Sequence, residues 1–271
     1  MYRSDWHMHT AASYDAKTTI REILEAADKQ GITDLGISDH VNVPSWLHYL
    51  QESRALFDAH RKPGFHFGVE LTTISGYQEE YDRKNGNTVG YVNPEGVHPV
   101  ALPLTEEELR SVQVEYVVGA AHWLLAPCKT VHDAIADFHR QQMMLANDPR
   151  VDILGHSWSF GGQYTDDDGN VTVFDDFDLV PRWMIEELFA ALLKNGKCLE
   201  INRVMMTGKT EEFRQQYMRY IREAFERGIP ITYGSDNHGP GYPDFRDIAE
   251  KYLGGVGFRP EDLSMPKFRT Y

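Results

Sequence analysis

The chain has 271 residues, of which 41% are hydrophobic and 12% aromatic, enough for one barrel-sized core. Its formal charge is -14, with 41 acidic against 27 basic residues, so its field repels phosphate backbones and anionic membranes and disfavours general nucleic-acid binding. Cys128 and Cys198 lie far apart and form no CxxC, which argues against a disulfide scaffold. The start of the chain lacks the basic and apolar regions of a signal peptide, and no apolar run reaches about 18 residues, so a cytoplasmic protein without a membrane partner is expected.

In chain order, RSDW reads as a first strand and runs into HMHT, residues 7 to 10. From Lys17, KTTIREILEAADKQG reads as a helix: Thr19 and Glu22 form a capping box, Ile23, Leu24 and Ala27 give an apolar stripe, and Gly31 ends it. Strand-like runs then recur as ITDLGIS, FHFGVE, EYVVGAA, VDILG, KCLEIN and IPITYGS. Helical patterns from Thr130, Trp183 and Glu211 separate the later ones. Seven strands alternating with helices point to parallel α/β architecture and favour a closed TIM-like barrel in a single domain, with an open doubly wound sheet as the rival.

Two stretches break the alternation. Residues 76–103 are rich in Gly, Pro, Asn and Tyr and read as a long loop or small hairpin insertion. Residues 159–181 form an acidic excursion in which Asp166, Asp168 and Asn170 suggest a calcium loop. That match fails, because Gly169 is out of place and Phe177 stands where the bidentate glutamate belongs.

The ligand-type residues collect at one end of the proposed strands. His7 and His9 end the first, Asp39 and His40 follow the second, Glu70 ends the third, and His122, His156, Asp236 and His238 follow others. Barrel enzymes build their sites at that end. Imidazole and carboxylate suit zinc, manganese and iron, and residues i and i+2 on a strand project to one side, so His7 with His9 and Asp236 with His238 are chelating pairs. The set exceeds what one ion needs, which favours two or three ions bridged by a carboxylate such as Glu70. His48, His60, His66, His98, His132 and His139 lack such context and read as surface or core residues.

The ordered series DWHMHT, SYDA, ISDH, GVE, GAAHW, LGHSW, LEIN and GSDNH resembles the PHP (polymerase and histidinol phosphatase) superfamily, in particular its stand-alone histidinol-phosphatase-like phosphoesterases. The resemblance runs from His7 to His238. The family pattern falls on His7, His9, Asp15, His40, Glu70, His122, His156, Asp236 and His238; Asp15 stands where the family often has histidine, an exchange the metal chemistry tolerates. The resemblance implies a distorted (β/α)7 barrel with a trinuclear site of zinc, manganese or iron that hydrolyses phosphate esters through a metal-activated hydroxide. It implies one ion on His7, His9, Glu70 and Asp236, a second on Glu70, His122 and His156, and a third on Asp15, His40 and His238. The expected substrate is a small phosphorylated metabolite, with histidinol phosphate the named compound best supported by the family.

Asp236 and His238 are catalytic candidates, and Arg203, directly after LEIN, is the first candidate for a phosphate clamp, since a guanidinium matches two phosphate oxygens. Lys209, Arg83 and the tyrosines of 76–103 are candidates for a lid. Two other readings compete: an amidohydrolase-type hydrolase, which also begins with HxH, and a phosphodiesterase or nuclease. The oligomeric state is not legible.

Overall fold

The structure is a computed structural model that describes residues 3–86, 96–159, 163–165, 171–173, 176–207, 209–244 and 246–269. The described residues contain seven strands in one sheet, all parallel and in chain order: β1 (Ser4–Asp5), β2 (Asp34–Ile37), β3 (Phe65–Thr72), β4 (Tyr116–Ala120), β5 (Ile153–Leu154), β6 (Cys198–Asn202) and β7 (Ile231–Gly234). A two-residue piece, His40–Val41, also pairs with β3. Register runs from Leu35 to Phe65, from Glu70 to Val118, and from Leu199 to Ile231.

Sequential strands that pair in parallel need helical crossovers, and a twisted sheet of this size can close on itself. Here it closes. Trp6 N–H donates to Tyr233 O at 3.0 Å, Asp236 N–H to His7 O at 2.7 Å, and His9 N–H to Asn237 O at 3.2 Å. The expected seven-strand barrel is therefore observed and the open-sheet rival is rejected.

Around it lie α1 (Ile20–Gln30), α2 (Leu47–Asp58), α3 (Gly76–Asn85), α4 (Glu106–Ser111), α5 (Val131–Asn147), α6 (Arg182–Asn195), α7 (Arg203–Thr207), α8 (Glu211–Glu226) and α9 (Arg246–Gly255). α1 has the capping box of Thr19 with Glu22 and ends at Gly31, and it buries Ile20, Ile23 and Ala27 against the barrel. Burying each isoleucine side chain stabilises by about 1.5–3 kcal/mol. The barrel interior is filled low down by Tyr116, whose ring lies across β2 and β3. A Cβ on Gly36 or Gly68 would fall 2.1 or 2.4 Å from that side chain, so both positions need glycine.

Two readings change. The first ten residues of the 76–103 insertion are helix α3, capped by Ser75 accepting from Gln78 N–H and ended by Gly86 at φ 61°. Its base is tied by antiparallel pairing of Ile74–Ser75 with Val100–Ala101. The sequence lacks an apolar stripe there, and two caps supply what periodicity did not show. Within the acidic excursion, Gln163–Thr165 pairs antiparallel with Val171–Val173, while residues 166–170, the first part of the stretch weighed as a calcium loop, lie outside the described residues. Among the described residues, no helix is long and apolar enough to cross a membrane.

Candidate metal centre

Because the strands run parallel, the residues at and just beyond their C-terminal ends crowd one mouth of the barrel. Glu70, on β3, is buried at the middle of this crowd. Its Oε2 lies 2.8 Å from His40 Nδ1, 3.2 Å from His7 Nε2 and 3.5 Å from His9 Nε2. Its Oε1 lies 3.0 Å from His156 Nε2 and 3.3 Å from His122 Nε2. One carboxylate thus touches five imidazoles.

A second carboxylate, Asp236, places Oδ1 3.2 Å from His9 Nε2, 3.6 Å from His7 Nε2 and 3.5 Å from His238 Nδ1. Asp15 Oδ2 stands 3.4 Å from both His40 Nε2 and His238 Nε2, which are 3.2 Å apart. All nine expected ligands therefore join one continuous cluster.

Three donor triads have their ligand atoms within 4.8 Å of one another: His7, His9 and Asp236; His40, Glu70 and His122; and His9, His40 and His238. The first agrees with the implied partition. In the second His40 replaces His156, and in the third His9 replaces Asp15.

The donor set fits divalent ions. His7 Nε2, His40 Nδ1 and Glu70 Oε2 are buried and face each other at the distances given above, yet none has a hydrogen-bond partner. Orphaned buried polar atoms are costly. Atoms that converge without donating to one another are arranged as ligands are, and imidazole with carboxylate is the chemistry of zinc, manganese and iron sites.

The electrostatics of the metal-free cluster follow from the same contacts. Burial alone would lower the pKa of His40, but Glu70 and Asp15 outweigh it and raise it to about 10. Burial likewise opposes ionisation of His7, and Glu200, Glu70 and Asp236 still raise it well above the usual value. His9, buried beside the His40 and His238 rings, falls to about 3. Despite burial, the surrounding imidazoles hold Glu70 and Asp236 well below the carboxylate range.

A second layer orients the ligands. Glu200 Oε1 is 2.7 Å from His7 Nδ1, which places that proton away from the cluster and leaves Nε2 to face it. Its Oε2 accepts from His156 N–H at 2.6 Å and Asn202 Nδ2 at 3.1 Å. Gly234 makes room: a Cβ there would sit 1.9 Å from Glu200 Oε1 and 2.6 Å from the Cβ of His7. Thr72 Oγ1 stands 3.0 Å from His122 Nδ1 and donates to Asn42 Oδ1. Asn202 Nδ2 donates to Asp236 Oδ2 at 3.2 Å.

In the sequence Glu200 and Asn202 stand out only as part of LEIN; their partners lie 193 and 34 residues away, beyond any local pattern. Asp39 is turned from the cluster, its carboxylate accepting from Thr10 N–H at 2.6 Å, Thr10 Oγ1 at 2.8 Å and Ser53 Oγ at 2.5 Å. It pins the end of β1 to the end of β2.

The cluster opens into a cavity of about 200 Å³ whose described walls include Tyr14, Asn42, Trp123 and Ser159. Arg203 is not among those described wall residues; its Nε donates to Ser235 O at 2.8 Å, linking the ends of β6 and β7. Arg83 is held by Glu108 at 2.9 and 3.0 Å and by Glu79, so it ties α3 to α4 rather than serving a lid. Lys209 lies over the Phe213 ring at 5.3 Å.

Comparison with known proteins agrees with this geometry. The PHP domain family model matches residues 5–231. A protein of Deinococcus radiodurans named "Probable histidinol-phosphatase" is 26% identical over 262 residues, covering 94% of each chain. A "Probable phosphatase" of Acetivibrio thermocellus is 26% identical over 239 residues, covering 86% of this chain and 78% of its own. The structure of histidinol phosphate phosphatase from Lactococcus lactis, solved with zinc, L-histidinol and phosphate, has the same fold, with a TM-score of 0.61 at 18% identity over 95% of this chain and 94% of that one. A seven-stranded barrel with this cluster at its mouth and a family match over most of its length belongs to the PHP domain family.

Proposed function

We propose that the chain hydrolyses phosphate monoesters of a small metabolite at the His7–His238 cluster, with histidinol phosphate as the first substrate to test. The chain is a metal-dependent phosphatase, in keeping with its named relatives and its fold. The observation that carries the reading is the buried convergence of five imidazoles on Glu70, whose Oε2 faces His7, His9 and His40 without a hydrogen-bond partner. Two or three zinc, manganese or iron ions held there would supply Lewis-acid polarisation of the phosphoryl group and a lowered pKa for water.

The side chains divide the remaining work. His7, His9, Asp15, His40, Glu70, His122, His156, Asp236 and His238 bind the ions. Glu200 keeps a proton on His7 Nδ1, and Thr72 and Asn202 orient His122 and Asp236. Asp236, within 3.2–3.6 Å of three imidazoles, would take the proton of the attacking water as it adds to phosphorus and return it to the alkoxide released when the P–O ester bond breaks. His238, 32% exposed beside Asp15, faces the substrate at the cavity mouth. Arg203 braces the ends of β6 and β7 through Ser235 O.

Support for histidinol phosphate is the length-matched Deinococcus relative and the L-histidinol and phosphate in the Lactococcus protein. Metal-loaded protein should release phosphate from p-nitrophenyl phosphate and fastest, within a metabolite panel, from histidinol phosphate. Silence across all substrates and metals contradicts the reading, and C–N bond hydrolysis in its place moves it to the amidohydrolase type.

A further inference from the structure

The turn after β5, which carries His156, has unusual backbone: His156 and Trp158 take φ of 22° and 61°. Side chains other than glycine enter that region only where neighbours hold them. Three buried groups from outside the turn do so. Gln142 Oε1, on α5, accepts from Ser157 Oγ at 2.5 Å and from Trp158 N–H at 3.2 Å. Tyr220 Oη, on α8, lies 2.9 Å from Ser157 Oγ. Glu200 Oε2 accepts from His156 N–H.

His156, like His9, lacks the outer hydrogen bond that several of its neighbours have. His7, His122 and His238 each have one ring nitrogen held, by Glu200, Thr72 and the Asp236 carbonyl. His156 Nδ1 is buried with no hydrogen-bond partner, so nothing on the far side of the ring fixes its angle. The turn must aim Nε2 at Glu70 instead. A glutamine on the buried face of a helix is costly for packing alone, since methionine fills the same volume without a polar end to satisfy.

We propose that Gln142, assisted by Tyr220, is a positioning residue for His156: from the helix layer it fixes the 156–158 turn that aims this imidazole into the metal centre. The proposal rests on the metal-centre reading and not on the identity of the substrate.

The test is a double-mutant cycle read by zinc and cobalt titration of the full chain, with elemental analysis and the cobalt absorption spectrum as readouts. Gln142→Met keeps volume and removes the acceptor; Gln142→Glu keeps an acceptor. The Met variant should bind the ion that uses His156 about 10- to 100-fold more weakly, the loss typical of a removed outer-shell partner. The Glu variant should recover part of that loss, and the cobalt spectrum of the Met variant should change. In a His156→Ala background, Gln142→Met should change metal affinity no further. Wild-type affinity in Gln142→Met, or an equal loss with and without His156, overturns the proposal. Should Gln142→Met fail to fold, Ser157→Ala and Tyr220→Phe take its place in the cycle: a loss that needs His156 supports the proposal, and an unchanged affinity or a loss independent of His156 overturns it. A wild-type chain that binds the ions but releases no phosphate sinks the substrate reading and leaves this proposal to the cycle; a chain that binds none overturns both.

Discussion

The two ends of the barrel are built on opposite rules. Where β4, β5 and β6 begin, Tyr116, Ile153 and Cys198 pack together with Trp6 and with Phe268 from the C-terminal segment, which also stacks on His66 at 4.1 Å. Tyr116 donates its hydroxyl to Trp6 O at 2.9 Å and lies near Ile37 O at 3.1 Å. Where the strands end, buried imidazoles and carboxylates face one another with orphaned atoms. Among the described residues, three of the four non-glycine residues with positive φ, His156, Trp158 and Asp236, also sit there, while Gln113 precedes a strand. The lower end supplies stability through packing, and that stability holds a costly arrangement at the upper end.

The sharpest way to break this contrast is Glu70→Gln. One oxygen would become a donor facing imidazoles, so bound metal should fall by at least about one ion per chain and phosphate release should drop to background while the fold persists. Elemental analysis beside circular dichroism checks it; full metal content would refute Glu70 as the shared ligand.

Tyr116→Ala acts at the other end. It should cost about 3–5 kcal/mol of stability, as large-to-small aromatic changes in cores do, with ion stoichiometry retained below the melting transition. Loss of metal without loss of stability would show that the two ends are not separable in this way.

The pH response should differ in sign between the metal-free and loaded chain. The folded pKa of His40 is raised from 6.5 to about 10. Its contribution to the metal-free fold is therefore complete below the unfolded value and lost as pH rises through that window. Ligation needs neutral imidazole, so loading should release protons and the loaded chain should gain stability over the same rise until hydroxide competes. Thermal midpoints with and without chelator measure both slopes; parallel slopes would contradict the ligand assignment.

The smallest effect expected is that of Arg203→Ala. Losing a hydrogen bond to Ser235 O should cost about 0.5–1.5 kcal/mol, with KM for a phosphate ester nearly unchanged. A rise in KM of about a hundredfold, more than 2 kcal/mol, would restore Arg203 to the phosphate.

Much of the molecule is legible in the sequence because local rules agree with the final structure. Six apolar runs and the short RSDW segment mark seven strands, Thr19 with Glu22 marks the start of α1, and ligand types at strand ends mark the mouth. Where the reading falls short, the cause is long range or lacks periodicity. α3 has caps without an apolar stripe. Glu200 meets His7 across 193 residues, and Gln142 meets Ser157 from an outer helix. The bond from Arg203 to Ser235 O spans 32 residues and is likewise not announced by its sequence neighbourhood. Cys198 is buried, whereas Cys128 is only half-buried.

The central claim is that nine side chains at one barrel mouth form a multinuclear metal centre. Elemental analysis of the full-length chain after reconstitution with zinc, manganese or iron and removal of free metal tests it most directly. The account predicts two or three ions per chain, lost together with phosphate release on chelation; fewer than about one ion per chain under every metal would contradict it.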